Sequence, residues 1–300
     1  MINFLNLIRY KNLVIITLLN LLIKYFIINQ HVNYYLFSDI MFIIYLIGFI
    51  SIVAAGYVIN DIYDIETDKI NKPSSRIVEV KVSVRNAKKI YKLLNSIGVI
   101  CAIYLSIVTS QIWIFFSHVI FIVLLFQYSK TLKTTYLIGN LLIAFLTSCN
   151  IICIGLFDLS NKNQFNYDFT INLILIYSLF CFFMTLVREI IKDIEDHKGD
   201  VKINANTIII KDGVKRAKKI IVFNLLVLII SLAYLQNQIL FSSNDFNFWL
   251  TSYSIIIQLL FLIVTFKILN AKSKSDYTSC STFTKIVMLV GILSIPLISI

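Results

Sequence analysis

The feature that most constrains this chain is a succession of about nine long apolar runs, near 13–28, 41–60, 93–110, 112–127, 137–157, 169–187, 220–235, 248–269 and 285–300. A transmembrane helix needs roughly 20 mainly apolar residues. The runs are continuous rather than alternating, which argues against the strands of an outer-membrane barrel. With 58% hydrophobic and 14% charged residues, the chain holds more Ile, Leu and Phe than a soluble monomer can bury. The expected fold is all-α: a polytopic membrane protein, one domain over 1–300, built as a bundle of about nine transmembrane helices. No small-residue cleavage site follows the first run, so no cleaved signal peptide is expected.

Lys and Arg number 27 against 16 Asp and Glu, a net charge of +11. With nine spans, 25 of those 27 cations fall on one side; only Lys24, inside the first span, and Lys162 do not. The positive-inside rule makes the basic side cytoplasmic, and the chain is expected in a bacterial or archaeal cell (inner) membrane. In so apolar a chain the excess charge reads as membrane orientation and lipid contact; no nucleic-acid partner is expected.

The acids are distributed differently. Eleven of the 16 lie in two cytoplasmic loops, 60–92 and 188–219. Asp61, Asp64 and Asp68 in the first and Asp193, Asp196 and Asp200 in the second share the spacing D-x-x-D-x-x-x-D. Each triplet is followed by a related basic segment, Val84-Arg85-Asn86-Ala87-Lys88-Lys89-Ile90 and Val214-Lys215-Arg216-Ala217-Lys218-Lys219-Ile220. Two half-repeats, approximately 13–157 and 169–300, are expected, with a site between them.

On a helix, positions i, i+3 and i+7 share a face, so each triplet predicts one acidic stripe where a span meets water. Three neighbouring carboxylates repel one another and call for a counter-charge. Hard oxygen ligands suit Mg²⁺, which shares its coordination with substrate phosphates. Two facing stripes would hold a diphosphate through Mg²⁺ and ease C–O bond breaking.

At these residues the sequence resembles the UbiA superfamily of intramembrane prenyltransferases, over nearly the whole chain. Asn60-Asp61-x-x-Asp64-x-x-x-Asp68 with Ile70-Asn71-Lys72-Pro73 is similar to the family's first motif. Arg188-Glu189-x-x-Lys192-Asp193-Ile194-Glu195-Asp196-x-x-Gly199-Asp200 is similar to its second. Ile8-Arg9-Tyr10-Lys11-Asn12, Tyr128-Ser129-Lys130-x-Leu132-Lys133 and Leu137-Ile138-Gly139-Asn140 look most like the digeranylgeranylglyceryl phosphate synthase branch. Three departures stand out: Ser75 occupies the family's usual Arg position, with Arg76 one later; Glu79 and Val80 stand near a usual Gly; and Thr135-Tyr136 replaces a common Pro.

The resemblance implies a polyprenyl diphosphate donor and a lipid acceptor, such as the hydroxyl of a prenylglyceryl phosphate. It implies Mg²⁺ on the six Asp residues and Asn60. Lys130, Arg188 and Lys192 then become candidates for diphosphate oxygens and Arg76 for substrate binding, Tyr128 for a hydrogen bond or for facing the developing allylic cation, and Arg9 for the acceptor's phosphate. Two other functions remain open at this point: prenylation of an aromatic quinone or haem-related acceptor, and secondary transport. Transporters place coupling carboxylates near the midplane in broken helices, whereas these lie at span ends. Cys149 and Cys153, four apart within one span, and the dispersed Cys101, Cys181 and Cys280 read as packing residues rather than metal ligands or disulfides.

Overall fold

In a computed structural model, residues 2–73, 76–159, 166–242 and 248–299 are described; Ser75 and Lys162 lie outside them. The chain is helical from end to end. A short helix α1 (Ile2–Leu7) precedes α2 (Tyr10–Leu22), which continues through a π-helical stretch, Ile23–Ile28, into α3 (Asn29–His31). There follow α4 (Asp39–Tyr63), α5 (Ile65–Asn71), α6 (Val84–Thr109), α7 (Ile112–Lys130), α8 (Ile138–Asp158), α9 (Tyr167–Lys202), α10 (Ile208–Ser242), α11 (Phe248–Asn270) and α12 (Lys274–Ile292). Among the described residues, nine helical segments are long and apolar enough to cross a membrane. The protein is an integral membrane protein. Helices satisfy every backbone group internally, which hydrocarbon demands.

Several spans run further than the apolar pattern predicts. The third starts at Val84 rather than near 93, and the basic segment Arg85–Lys92 forms its first turns. The Ser83 hydroxyl, accepting from the Asn86 amide at 3.3 Å, caps that start. The ninth begins at Lys274, where Ser273 and Asp276 form a capping box. Polar ends escape a hydropathy scan because they project beyond the lipid. The 36-residue α9 is roughly 54 Å long at 1.5 Å per residue, against a hydrocarbon core of about 30 Å. Its polar last turns, which carry the second motif, therefore stand outside the hydrocarbon.

The two motifs differ in form. Asp193, Asp196 and Asp200 lie on the unbroken α9, as the spacing predicts. The first triplet is interrupted: α4 ends at Tyr63, Asp64 adopts φ −87°, ψ 4°, and α5 starts at Ile65. Backbone bonds from the Asp64 amide to Asn60 and from the Asp68 amide to Asp64 still bridge the break.

Helices α4 and α6 approach closely at Gly98, where a Cβ would lie 2.4 Å from Ile52 Cγ1. At the end opposite the aspartates, Ile23, Ile27, Phe37, Tyr45, Ile114 and Ile154 pack into an apolar cluster with almost no exposure. Within it Lys24 and Asp158 form an ion pair of 2.5 Å, both side chains fully buried. Lys24 also donates to the Phe37 carbonyl at 2.9 Å, and Asp158 accepts from the Phe37 amide at 2.6 Å. A paired, hydrogen-bonded lysine is tolerated at a depth where a lone one is not.

Candidate active site

A cavity of about 390 Å³ opens at the aspartate end of the bundle. Asn60, Asp64, Asp68, Asp193, Asp196 and Asp200 all line it, with Tyr128, Lys130, Arg188 and Lys192. Deeper, its wall is apolar, from Ile16 and Leu19 of α2, Phe49 and Val53 of α4, Phe121 of α7 and Leu146 of α8. The space is thus acidic and basic at the mouth and greasy below.

Asp64, Asp68, Asp193 and Asp196 are each positioned by a specific neighbour. Asp64 accepts from Asn60 Nδ2 at 2.7 Å and from Lys133 Nζ, while Thr67 Oγ1 donates to its backbone carbonyl at 2.9 Å. Asp193 accepts from Asn140 Nδ2 at 2.8 Å. Lys72 spans the two motifs, 3.5 Å from Asp68 and 3.7 Å from Asp196. Asn71 stitches them: its amide nitrogen donates to the Asp196 carbonyl at 2.8 Å and its oxygen accepts from the Gly199 amide at 3.0 Å. Lys274 reaches back to the Asn71 carbonyl at 2.7 Å.

Two expected residues stand elsewhere. Asp61 does not line this cavity; it pairs with Arg9 at 2.8 Å in an adjoining recess. Arg9 lies 4.9 Å over the Tyr57 ring. Arg76 also lies in that recess, not in the cavity, 3.7 Å from Glu79. Glu79 itself has φ 71°, so the turn keeps a left-handed conformation that suits Gly although Gly is absent. Lys130 is exposed at the rim, 5.9 Å over the Phe126 ring, and Arg188 donates to Glu189 at 2.9 Å.

Lys72, Lys133, Asn71 and Asn140 were not singled out as site residues by sequence reasoning. Lys72 had a signal, four residues after Asp68 and next to Pro73, and Lys133 had one in closing the Tyr128–Lys133 segment.

The electrostatics follow burial and neighbours. Burial disfavours charge on Lys133, but the Asp64 carboxylate against it holds its pKa above the ordinary lysine value. Burial likewise opposes charge on Arg9, and Asp61 outweighs it, raising the pKa. Burial lifts the Asp68 carboxyl above its usual range, with Asp64 and Asp61 adding repulsion and Lys72 and Lys133 pulling back.

The donor set fits a hard cation. Five aspartates line one cavity together with Glu66 and Glu189, and the buried oxygens Asn60 Oδ1 and Asp196 Oδ1 lack hydrogen-bond partners. Among the described residues, no three Asp, Glu, His or Cys side chains form a closed chelate. Carboxylate and amide oxygens are the hard ligands that suit Mg²⁺, which keeps waters and takes its remaining ligands from substrate phosphates.

Comparison with known proteins agrees with this geometry. Residues 30–287 match the UbiA prenyltransferase family. The chain is 39% identical over 179 residues to the digeranylgeranylglyceryl phosphate synthase of Saccharolobus solfataricus, 60% of this chain and 59% of that one. It therefore spans about three fifths of that relative's length in the matched stretch. It is 33% identical over 273 residues to the synthase of the same name from Methanococcus maripaludis, 89% of this chain and 85% of that one. Among solved structures, a digeranylgeranylglyceryl phosphate synthase superposes with a TM-score of 0.66 at 27% identity, over 98% of this chain and 96% of that one. A UbiA homologue from Archaeoglobus fulgidus, bound to GPP and Mg²⁺, shares the fold with a TM-score of 0.60 at 17% identity, over 98% and 99% of the two chains. The chain belongs to the UbiA prenyltransferase family.

Proposed function

We propose that this protein is a Mg²⁺-dependent prenyltransferase that moves a polyprenyl group from its diphosphate to the hydroxyl of a prenylglyceryl phosphate. The observation that carries the reading is one cavity whose mouth holds carboxylates of both motifs and whose interior is apolar. A diphosphate with an isoprenoid tail has that same division. The names of the relatives support the glyceryl phosphate acceptor, and the Archaeoglobus complex supports a prenyl diphosphate with Mg²⁺. The cation excess on the aspartate side supports a mouth facing the cytoplasm. The matching placement of the motifs at the ends of α4 and α9 supports half-repeats over approximately 13–157 and 169–300.

Asp64, Asp68, Asp193, Asp196 and Asp200, with Asn60, would hold the metal. Bound there, Mg²⁺ supplies Lewis-acid stabilisation of the departing diphosphate. Asp61 instead fixes Arg9. Lys72, Lys130, Arg188 and Lys192 face the mouth and give charge-assisted donors to diphosphate oxygens. The allylic C–O bond breaks with its electron pair leaving on oxygen, and the Tyr128 ring faces the resulting cation. The apolar wall keeps water from capturing it. The acceptor hydroxyl then forms the ether bond, and its proton passes to the diphosphate released.

Purified protein with labelled geranylgeranyl diphosphate, Mg²⁺ and a panel of lipid and aromatic acceptors tests this. Asp64→Ala and Asp196→Ala are each expected to lower transfer at least about 100-fold, the scale of one lost preorganised electrostatic group. Full Mg²⁺-dependent transfer by either variant refutes the proposal. Transfer to the aromatic acceptors alone refutes the acceptor assignment.

A further inference from the structure

Beside the main cavity, and partly shared with it, lies the recess that holds Arg9 and Arg76, about 410 Å³ in volume. Seven Lys and Arg side chains line it against two carboxylates, Asp61 and Asp68. Both carboxylates are already engaged, Asp61 with Arg9 at 2.8 Å and Asp68 with Lys72 at 3.5 Å. The surplus is therefore cationic, and it is held in place. Arg9 sits at the junction of α1 and α2 with φ 51° and ψ 52°, a left-handed conformation that non-glycine residues adopt only where their surroundings hold them. Lys285 enters from α12 and is tied to Asn12 Oδ1 at 2.7 Å.

Arg76 is the telling member. Its Nε and Nη1 are buried without a hydrogen-bond partner, and its nearest carboxylate, Glu79, stands at 3.7 Å. A partly buried guanidinium with two idle, buried donor atoms is a liability unless a ligand completes it. The planar fork of an arginine matches phosphate oxygens, and several cations around one pocket suit a compact dianion.

The recess shares Arg9, Asp68, Lys72, Arg188, Lys192 and Lys285 with the main cavity, whereas Arg76 and Lys11 line the recess alone. A small phosphorylated group seated beside Arg76 thus has its neighbouring atoms within reach of the place where the donor breaks. We propose that this recess binds a phosphomonoester, and that the occupant is the headgroup phosphate of the lipid acceptor. This rests on the prenyl-transfer reading above and adds the determinant by which the acceptor is chosen.

The test measures binding without Mg²⁺ or donor, so that it stands apart from the assay of transfer. Purified protein in detergent is titrated with a geranylgeranylglyceryl phosphate, with the same lipid lacking phosphate, and with inorganic phosphate. The phosphorylated lipid is expected to bind about tenfold or more tightly than its phosphate-free counterpart, as charge-assisted bonds require. Arg76→Gln should erase most of that difference. In turnover, Arg76→Gln should raise the acceptor KM about tenfold while the donor KM and kcat stay within twofold, a split that a folding defect does not produce. Lys11→Gln, which lines the same recess from the exposed start of α2, should show a weaker form of the same split.

Equal binding of the two lipids overturns the proposal, and so does a phosphate preference that survives in Arg76→Gln. Inorganic phosphate competing as well as the lipid phosphate would assign the recess to a free anion and overturn the acceptor assignment. A phosphate preference without any prenyl transfer keeps the recess and refutes the proposed function. Transfer without the preference does the reverse.

Discussion

Gly199→Ala separates local propensity from packing. Inside a helix the change from Gly to Ala is worth about 1 kcal/mol in favour of the helix, so α9 taken alone would be stabilised. The structure reverses the sign. An alanine Cβ would stand 2.4 Å from Asn71 Nδ2 and 2.8 Å from its Cγ. Asn71 has no slack, because its amide is already bonded to the Asp196 carbonyl and the Gly199 amide. Displacing it forfeits two hydrogen bonds at roughly 1 kcal/mol each and strands a buried amide at about 1 kcal/mol or more. Against the helix gain, the net loss is about 2 kcal/mol, or roughly 3 °C in Tm for a chain of this size. Transfer should fall further than stability, since about 1 Å between two halves of a reacting site is worth about 100-fold. The assay is thermal unfolding and turnover across a double-mutant cycle with Asn71→Ala. With Asn71 truncated the clash is gone, and Gly199→Ala should become neutral or mildly stabilising. Equal destabilisation in both backgrounds, or none in either, would refute the reasoning.

Other perturbations probe other parts of the bundle. Lys24→Met strands the fully buried Asp158 and should cost about 3–5 kcal/mol, read as a fall in Tm that Asp158→Leu in the same chain partly restores. Lys133→Met removes the cation against Asp64; Tm in EDTA should fall and Mg²⁺ should recover more stability than in the parent, because a ligand of the folded state adds to it. Failure of Mg²⁺ to do so argues against the carboxylates as its ligands. Phe121→Ala opens the apolar wall of the main cavity and should raise kcat/KM for a longer prenyl diphosphate relative to geranylgeranyl diphosphate by about tenfold. Each added methylene seated there is worth about 0.8 kcal/mol, and an unchanged ratio would place the tail elsewhere.

What the sequence made legible follows from how local each signal is. Asp193, Asp196 and Asp200 share a face because one helix carries all three, and spacing alone reports that. The break at Asp64 has no Gly or Pro to announce it, so an intact stripe was the natural expectation for the first motif. Lys72 and Lys133 vanish into the excess of 27 cations over 16 acids, where a site lysine and a lipid-anchoring one look alike. Asn71 and Gly199 lie 128 residues apart, as Lys24 and Asp158 lie 134 apart, and only the folded bundle brings such partners together. The ends of α6, α9 and α12 were misjudged for a different reason: hydropathy reports where lipid stops, not where the helix does.

The buried pair of Lys24 and Asp158 has an electrical consequence. It closes the end of the bundle remote from the aspartates within a packed apolar cluster, so ionic species reach the reacting centre by the aspartate mouth. Moving one elementary charge across a membrane takes about 2.3 kcal/mol per 100 mV. A diphosphate that arrives and departs through the same opening crosses none of that field. If the proposed reaction runs through that opening, turnover is expected to be electrically silent, and a measured dependence of its rate on membrane voltage would contradict this.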